Sequence, residues 1–435
     1  MDDFTIGLIG TGSLLVLVFV GVRVFAAAAI VGLFGTIAIV GWDAGAGITG
    51  TIPHSKSINY VLSVLPMFIL IGFIAYHAGL THALFNAARA WFGWVPGGLA
   101  VASVFATAGF AAVSGASTAT AAVFSRVAIP HMLENGYDRR LAAGVVAAGG
   151  TLASLIPPSA ILVIYAIIVE ESVGALILAG FLPGLVSALI YAGLIIGQCM
   201  WKPELGRPIK SPPMAERIKT IPGTFPIFAV VAIIFYSMMS GWATPTEAGA
   251  LGAFVVLVIA LFRGMKWGQL EDALIETAKL TVMIFALIWG ILIFVRFLGF
   301  AGLPQAFAEW LVTLPLPPVV VMIMILLGYA VLGMFMDAIG MLLLTLPVVY
   351  PAVIALGYDP IWFGIIVVKM CEVCLITPPV GLNCYVVAAV RPDIPLGDVF
   401  RGIGPFFAAD AATIGVFLAF PGIITWLPEL AKSWN

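Results

Sequence analysis

Polar positions are so sparse along this chain that they punctuate long apolar stretches instead of alternating with them. Nearly uncharged runs occupy 5–41 (broken by Arg23), 59–76, 98–124, 141–169, 174–198, 226–242, 248–262, 280–300, 316–336, 339–357, 361–390 and 405–427. A helix needs ~20 apolar residues to cross the hydrocarbon core of a bilayer. Most runs fit one crossing, and some are too long for one, which predicts a helix pair or a hairpin there. The pattern therefore predicts an all-α polytopic membrane protein with about ten to twelve transmembrane helices plus re-entrant hairpins. Three stretches, 82–94, 264–279 and 304–314, read instead as amphipathic helices.

Composition sharpens this picture. Of 435 residues, 62% are hydrophobic and only 9% are charged, against ~25% charged in soluble domains. A large soluble domain has nowhere to fit. The net charge of −2 gives no reason to expect nucleic acid as a partner. The start, Met1-Asp2-Asp3-Phe4, lacks the basic region of a secretory signal peptide, so the first apolar run is expected to remain as a span. Residues 199–225 carry Lys202, Arg207, Lys210, Arg217 and Lys219, and such a basic loop is expected on the cytoplasmic side; an anchor on lipid headgroups would place it on the same side.

Two segments of the chain resemble each other. Leu155-Ile156-Pro157-Pro158 returns as Ile376-Thr377-Pro378-Pro379, and Ile129-Pro130 as Tyr350-Pro351, both at an offset of 221. Ala78-Gly79-Leu80 returns as Ala301-Gly302-Leu303 at an offset of 223, each followed by an amphipathic stretch. Ordered matches at nearly one offset indicate an internal repeat, and paired repeats with a midplane site between them characterise secondary transporters. The expected organisation is an N-terminal scaffold at 1–58, a first repeat at 59–198, a basic loop with connecting scaffold helices at 199–279, a second repeat at 280–427 and a tail at 428–435. An odd number of crossings in 199–279 would make the repeats inverted.

The double prolines are the sharpest local feature. Proline lacks the N–H that a helix needs and clashes with the carbonyl four residues back, and unpaired carbonyls are costly in hydrocarbon unless the break is buried or lines a cavity. Such a break is either a plain kink satisfied by neighbours or a cage of carbonyl oxygens for a small cation. Upstream of each lies a further element. In the first half it is Val113-Ser114-Gly115-Ala116-Ser117-Thr118-Ala119-Thr120, small residues that allow close helix packing and can also reverse the chain and present oxygens. In the second it is Gly333-Met334-Phe335-Met336-Asp337. An aspartate amid apolar residues is a functional candidate by default. Arg296 is the other costly charge, either snorkelling to an interface or pairing with a substrate carboxylate. Lys369 and Glu372 stand three apart and are expected to pair on one helix face.

Other chemistries find little support. Cys371-Glu372-Val373-Cys374 has no second cysteine pair or histidine nearby to complete a zinc site. Ala112-Val113-Ser114-Gly115 lacks the leading glycine of an intramembrane serine protease, and no histidine lies well inside a later span to act as base. A channel would show a continuous polar lining or a charged ring, whereas the polar residues here cluster at two matched breaks. No nucleotide-binding G-x-x-x-x-G-K-[ST] occurs, so an ion gradient or an unseen subunit must drive the process.

Together, Ser114-Gly115-Ala116-Ser117, Ile156-Pro157-Pro158-Ser159, Pro245-Thr246-Glu247-Ala248-Gly249, Gly333 to Asp337 and Thr377-Pro378-Pro379-Val380-Gly381-Leu382-Asn383 resemble the large membrane (DctM-type, M) subunit of TRAP transporters, over nearly the whole chain. Two departures are Arg23, where a proline is expected, and Ala153, where a glycine is common. The resemblance implies sodium-coupled uptake of an organic acid across the bacterial inner membrane, delivered by a periplasmic substrate-binding (P-type) protein, with a small membrane (Q-type) subunit as partner. It implies two inverted repeats and elevator-like movement. One Na+ would sit among Ser114, Ser117, Ala153, Ile156 and Pro158; a second would use Gly333, Thr377, Pro379 and neighbours up to Leu382. Substrate would meet Ser159, Asp337, Asn383 and Arg296. Sialic acids, C4-dicarboxylates, keto acids and compatible solutes are all carried in the family, and the sequence does not choose among them.

Overall fold

A computed structural model describes residues 2–210 and 212–434, and every regular element in them is helical. The N-terminal helices are α1 (Asp3–Phe19), α2 (Val24–Val40) and α3 (Trp42–Ser57). Seven helices follow: α4 (Val64–His77), α5 (Leu80–Phe92), α6 (Gly98–Ser114), α7 (Ser117–Glu134), α8 (Arg139–Thr151), α9 (Ala160–Val169) and α10 (Val173–Trp201). The short α11 (Met214–Ile218) and the helices α12 (Ile221–Met239) and α13 (Pro245–Phe262) form a connector. Seven more then come in the same order: α14 (Trp267–Phe300), α15 (Leu303–Thr313), α16 (Pro318–Gly333), α17 (Ala338–Ala355), α18 (Pro360–Ile376), α19 (Leu382–Val390) and α20 (Leu396–Ala419), closed by α21 (Gly422–Trp434).

Among the described residues, seven helices are long and apolar enough to cross a membrane, and five further apolar helices have only 10–17 residues. The short ones have a physical cause. The chain reverses after Ser114 and after Gly333, so α6–α7 and α16–α17 are hairpins whose tips are separated from their bases by only about 17 residues. It also breaks between α8 and α9 and between α18 and α19, each time at a Pro-Pro whose second peptide bond is cis. The run 264–300, expected as an amphipathic stretch followed by a span, is instead one helix of 34 residues. Its charged first turns extend the apolar part without interruption, because Trp267 to Phe300 contains neither proline nor a glycine pair to stop it.

The seven-helix sets run in opposite senses. Where α4 ends, α14 begins: Gln269 donates from Nε2 to the His77 carbonyl at 3.2 Å, and His77 Nε2 lies 3.1 Å from Glu276 Oε2. The first helix of one set is thus antiparallel to the first helix of the other. The sets also interlock, since α9 packs on α17 of the opposite set while α19 packs on α7 and α8. The segment 202–210 folds back on the first set: Gly97 N–H donates to Gly206 O at 3.0 Å, Asp138 N–H to Leu205 O at 2.9 Å, and the Tyr137 hydroxyl to Arg207 O at 2.9 Å. The bases of hairpin α6–α7 and this basic segment therefore share one face.

Helix α2 packs along the upper half of α14 by removing side chains from the seam. A Cβ on Gly290 would come within 2.1 Å of the Phe25 carbonyl oxygen, and one on Gly32 within 2.6 Å of Phe294 N. Backbone meets backbone there, as small residues permit between membrane helices. Gly290→Val is therefore expected to push α2 off α14 and to cost on the order of 1–3 kcal/mol, the usual range for overpacking. A lowered thermal unfolding midpoint in detergent, beside a near-neutral Gly268→Val control where nothing lies within 4 Å, checks this.

Candidate functional site

The first hairpin tip and the first break are built against each other. Gly115 reverses the chain with φ +58, a conformation that only glycine adopts cheaply, and a Cβ there would lie 2.6 Å from the Pro158 carbonyl oxygen. Ser117 Oγ lies 2.6 Å from Ser154 Oγ, tying hairpin to break, and Ser114 Oγ lies 2.9 Å from Thr120 Oγ1. Pro157 and Pro158 remove the helical donors to the Ala153 and Ser154 carbonyls. Ser159 Oγ takes up the Ser154 carbonyl and accepts from Leu162 N–H, capping α9. Ser117 and Pro158 are thus held at the seam between tip and break, Ile156 packs against Gly184 of α10, and residues 151–159 are all buried.

The second pair is more open. Helix α18 ends with Thr377, whose hydroxyl donates to Val373 O at 2.6 Å, and Gly381 with φ +44 starts α19. Hairpin α16–α17 meets α18 at Gly333, where a Cβ would collide with Cys374 Sγ, and Cys371 Sγ donates to Ala338 O at 3.5 Å. The cysteines of the C-x-x-C segment are therefore packing groups at this tip, both buried and free. Pro378, Pro379 and Leu382 are exposed, unlike their counterparts in the first break. Among the described residues no three His, Cys, Asp or Glu side chains gather as for a metal ion.

Between the two tips lies a cavity of about 660 Å³. Gly115 to Ala119 line it from one hairpin, Asp337 to Ile339 from the other, Ala160 and Leu382 from the starts of α9 and α19, and Glu276, Lys279 and Met283 from α14. Asp337 is half-buried and caps α17 by accepting from Gly340 N–H at 3.0 Å. Two smaller cavities continue from it, sharing Ala116, Ala119 and Glu276 and then Tyr76 and Arg126, and reach His77, His82 and Gln269. This path ends on the side where α4 finishes and α14 starts, and there Arg263 Nη2 donates to Gly223 O at the end of the basic segment.

The structure brings only some of the sequence candidates to this cavity. Ser117, Asp337 and Leu382 line it. Ser159 and Asn383 stand just behind the lining, fully buried; Asn383 Nδ2 donates to Ala147 O at 3.1 Å, while its Oδ1 has no partner among the described residues. Arg296 is elsewhere. It is exposed in a separate cavity of about 590 Å³ with Lys56, Ser55 and Glu170, sharing no lining residue with the Asp337 cavity. Lys279 and Arg126, neither of them in an ion pair within 4 Å among the described residues, are the cationic groups that do line the path. The sequence signal for Lys279 was its i, i+3 spacing from Glu276 immediately before an apolar run.

The profile of the family described as "Tripartite ATP-independent periplasmic transporter, DctM component" matches residues 11–423. The chain is 35% identical over 379 residues to the C4-dicarboxylate TRAP transporter large permease protein DctM of Pseudomonas aeruginosa, covering 86% of each. It is 30% identical over 379 residues to the sialic acid TRAP transporter large permease protein SiaM of Vibrio cholerae, covering 87% of this chain and 88% of that one. Its fold is similar to that of the Alcanivorax borkumensis YdaH transporter, with a TM-score of 0.60 at 15% identity over 92% of this chain and 98% of the other.

The seam between tip and break yields a direct test. Gly115→Ala adds a Cβ against the Pro158 carbonyl and forces a left-handed residue, a conformation that costs roughly 1–2 kcal/mol outside glycine. The variant is expected to unfold at lower temperature than wild type, and Gly136→Ala, also at positive φ but with nothing within 4 Å, is expected to lose less.

Proposed function

The chain belongs to the family of the DctM component of tripartite ATP-independent periplasmic transporters, and we propose that it translocates an organic acid across the bacterial inner membrane in symport with Na+. The observation that carries this reading is the pairing of two hairpin tips with two broken helices around one cavity that holds Asp337 and Lys279. Carbonyl and hydroxyl oxygens with few carboxylates suit a weakly held monovalent ion better than calcium, which recruits more carboxylates, or magnesium, which dehydrates reluctantly. Ser114, Ser117, Ala153, Ile156 and Pro158 would hold one Na+, and Gly333, Thr377, Pro379 and Leu382 the other.

The relatives from Pseudomonas aeruginosa and Vibrio cholerae are named for C4-dicarboxylate and sialic acid. A carboxylate is the matching cargo here, because Lys279 and Arg126 offer positive charge along the path and bound Na+ offsets more of the anion's charge. Asp337 would orient the substrate's hydroxyl or amide groups, with Ser159 and Asn383 shaping the wall behind. Arg296, with Lys56 on the opposite side, would act where substrate enters. A periplasmic binding protein would deliver the acid there, and a small membrane subunit would brace the scaffold of α2, α4 and α12 to α14. Movement of α6 to α9 and α16 to α19 together against that scaffold would carry the cavity across. With the basic segment cytoplasmic, the observed path opens inward.

Proteoliposomes containing this chain, its small subunit and the soluble binding protein are expected to accumulate substrate only with Na+ outside. Equal accumulation in potassium or choline would sink the sodium reading. Asp337→Asn is expected to lose nearly all uptake with assembly intact. Lys279→Gln is expected to raise the half-saturating substrate concentration about tenfold, on the order of one charge-assisted hydrogen bond; an unchanged value returns Lys279 to a solvating role.

A further inference from the structure

A second group of charges lies outside that cavity, sealed inside the protein. Lys369 and Glu372 on α18 and Asp410 on α20 are each 0% exposed. Lys369 Nζ lies 2.7 Å from Glu372 Oε2 and 2.8 Å from Asp410 Oδ1. The Tyr191 hydroxyl on α10 donates to the same Asp410 Oδ1 at 2.6 Å, and Nζ sits 5.3 Å from the centre of the Tyr191 ring. Among the described residues no side chain donates to Glu372 Oε1 or Asp410 Oδ2.

One cation therefore faces two acids. With both acids ionised the group would carry a net negative charge where no water offsets it, which is the costliest arrangement that burial can produce. No other cation is on hand from the elements packed on α18. Arg139 and Arg140 of α8 are both spent on Asp398, at the far end of α20. Arg401 of α20 and both Glu429 and Lys432 of α21 are exposed. The remaining titratable neighbours are neutral: Tyr165 of α9 donates to Pro360 O, Tyr329 of α16 accepts from Thr345, and Tyr350 of α17, Cys371, Cys374 and Cys384 make no ion pair. A metal ion is a poor fit for the missing charge, because the ammonium already occupies the space between the carboxylates and no third ligand of the kind is present among the described residues.

We propose that Glu372 is a proton-binding site, carrying a proton on Oε1 so that Lys369, Asp410 and Glu372 form a neutral set. The choice between the acids follows from their donors. A carboxylate that accepts more hydrogen bonds is the one held ionised, and Asp410 Oδ1 accepts from two side chains, Lys369 at 2.8 Å and Tyr191 at 2.6 Å, whereas Lys369 is the only side chain among the described residues that donates to Glu372. The ligand is a proton from water, and the site rests on this cluster alone, independent of the ion and substrate reading above. Its location gives it consequence: Glu372 lies about one turn before α18 ends at the second break, and its partners sit on α10 and α20, the closing helices of the two sets. A neutral cluster lets these three helices share one membrane interior.

The test is infrared difference spectroscopy on purified full-length protein at neutral pH. The wild-type-minus-Glu372→Gln spectrum is expected to show a protonated-carboxyl stretch that the variant lacks, and the variant is expected to keep the wild-type unfolding midpoint because glutamine replaces a neutral acid. Lys369→Met, which leaves two acids facing each other, is expected to lower the midpoint strongly. The proposal is overturned if Glu372→Gln removes a carboxylate band instead. It is equally overturned if the protonated band persists in Glu372→Gln and vanishes in Asp410→Asn, or if Glu372→Gln is as unstable as Lys369→Met. Should Asp410→Asn fail to fold, the Glu372→Gln spectrum decides alone.

Discussion

Inside a bilayer a backbone N–H or C=O has no water to turn to, so a helix that stops midway must find its partners in protein. This chain stops midway four times, at the tips after Ser114 and Gly333 and at the breaks after Thr151 and Ile376. Each tip is set against the break of its own repeat, with Gly115 pressed on Pro158 and Gly333 on Cys374. The second halves α9 and α19 then cross to the opposite repeat. The two halves of the molecule are thus packed into each other at their interrupted helices, and the cavity lies between the two tips.

Charge obeys the same logic at a larger energy scale. The ionisable groups that face the cavity and its path keep access to water, as the exposed positions of Lys279 and Arg126 allow. The acids and the lysine that lose it completely, at 0% exposure among the described residues, are gathered in one set, Lys369, Glu372 and Asp410, with the Tyr191 hydroxyl as a further donor. Isolated burial of any one of them would be far more costly than burial of the set.

How much of this was legible depended on whether the signal lay within a few residues. The breaks were, because proline's missing N–H acts on the carbonyl four residues away, and Asp337 was, because a lone carboxylate between apolar runs is conspicuous. The repeat was legible from Pro-Pro and Ala-Gly-Leu recurring at nearly one offset. The continuity of α14 was not, since Glu271, Asp272, Glu276 and Lys279 look like the end of a membrane segment until their helix is seen to continue into 280–300. Arg296 was singled out for its cost, yet cost does not tell which cavity a side chain faces. Asp410 joins Lys369 and Glu372 from 38 residues further along the chain, and no local pattern announces a partner at that distance.

The two breaks differ in one respect that their sequences do not: the first is sealed at every residue from 151 to 159, while Pro378 and Pro379 of the second lie exposed. Two inverted copies with identical surroundings would be related by a twofold axis in the membrane plane. Sealing one copy and exposing the other breaks that symmetry, and under the proposed movement the opposite form would expose the first copy and seal the second. The differences between the copies, as at Ser114 and Ser117 against Gly333 and Asp337, would then contribute to which of the two forms the molecule prefers at rest.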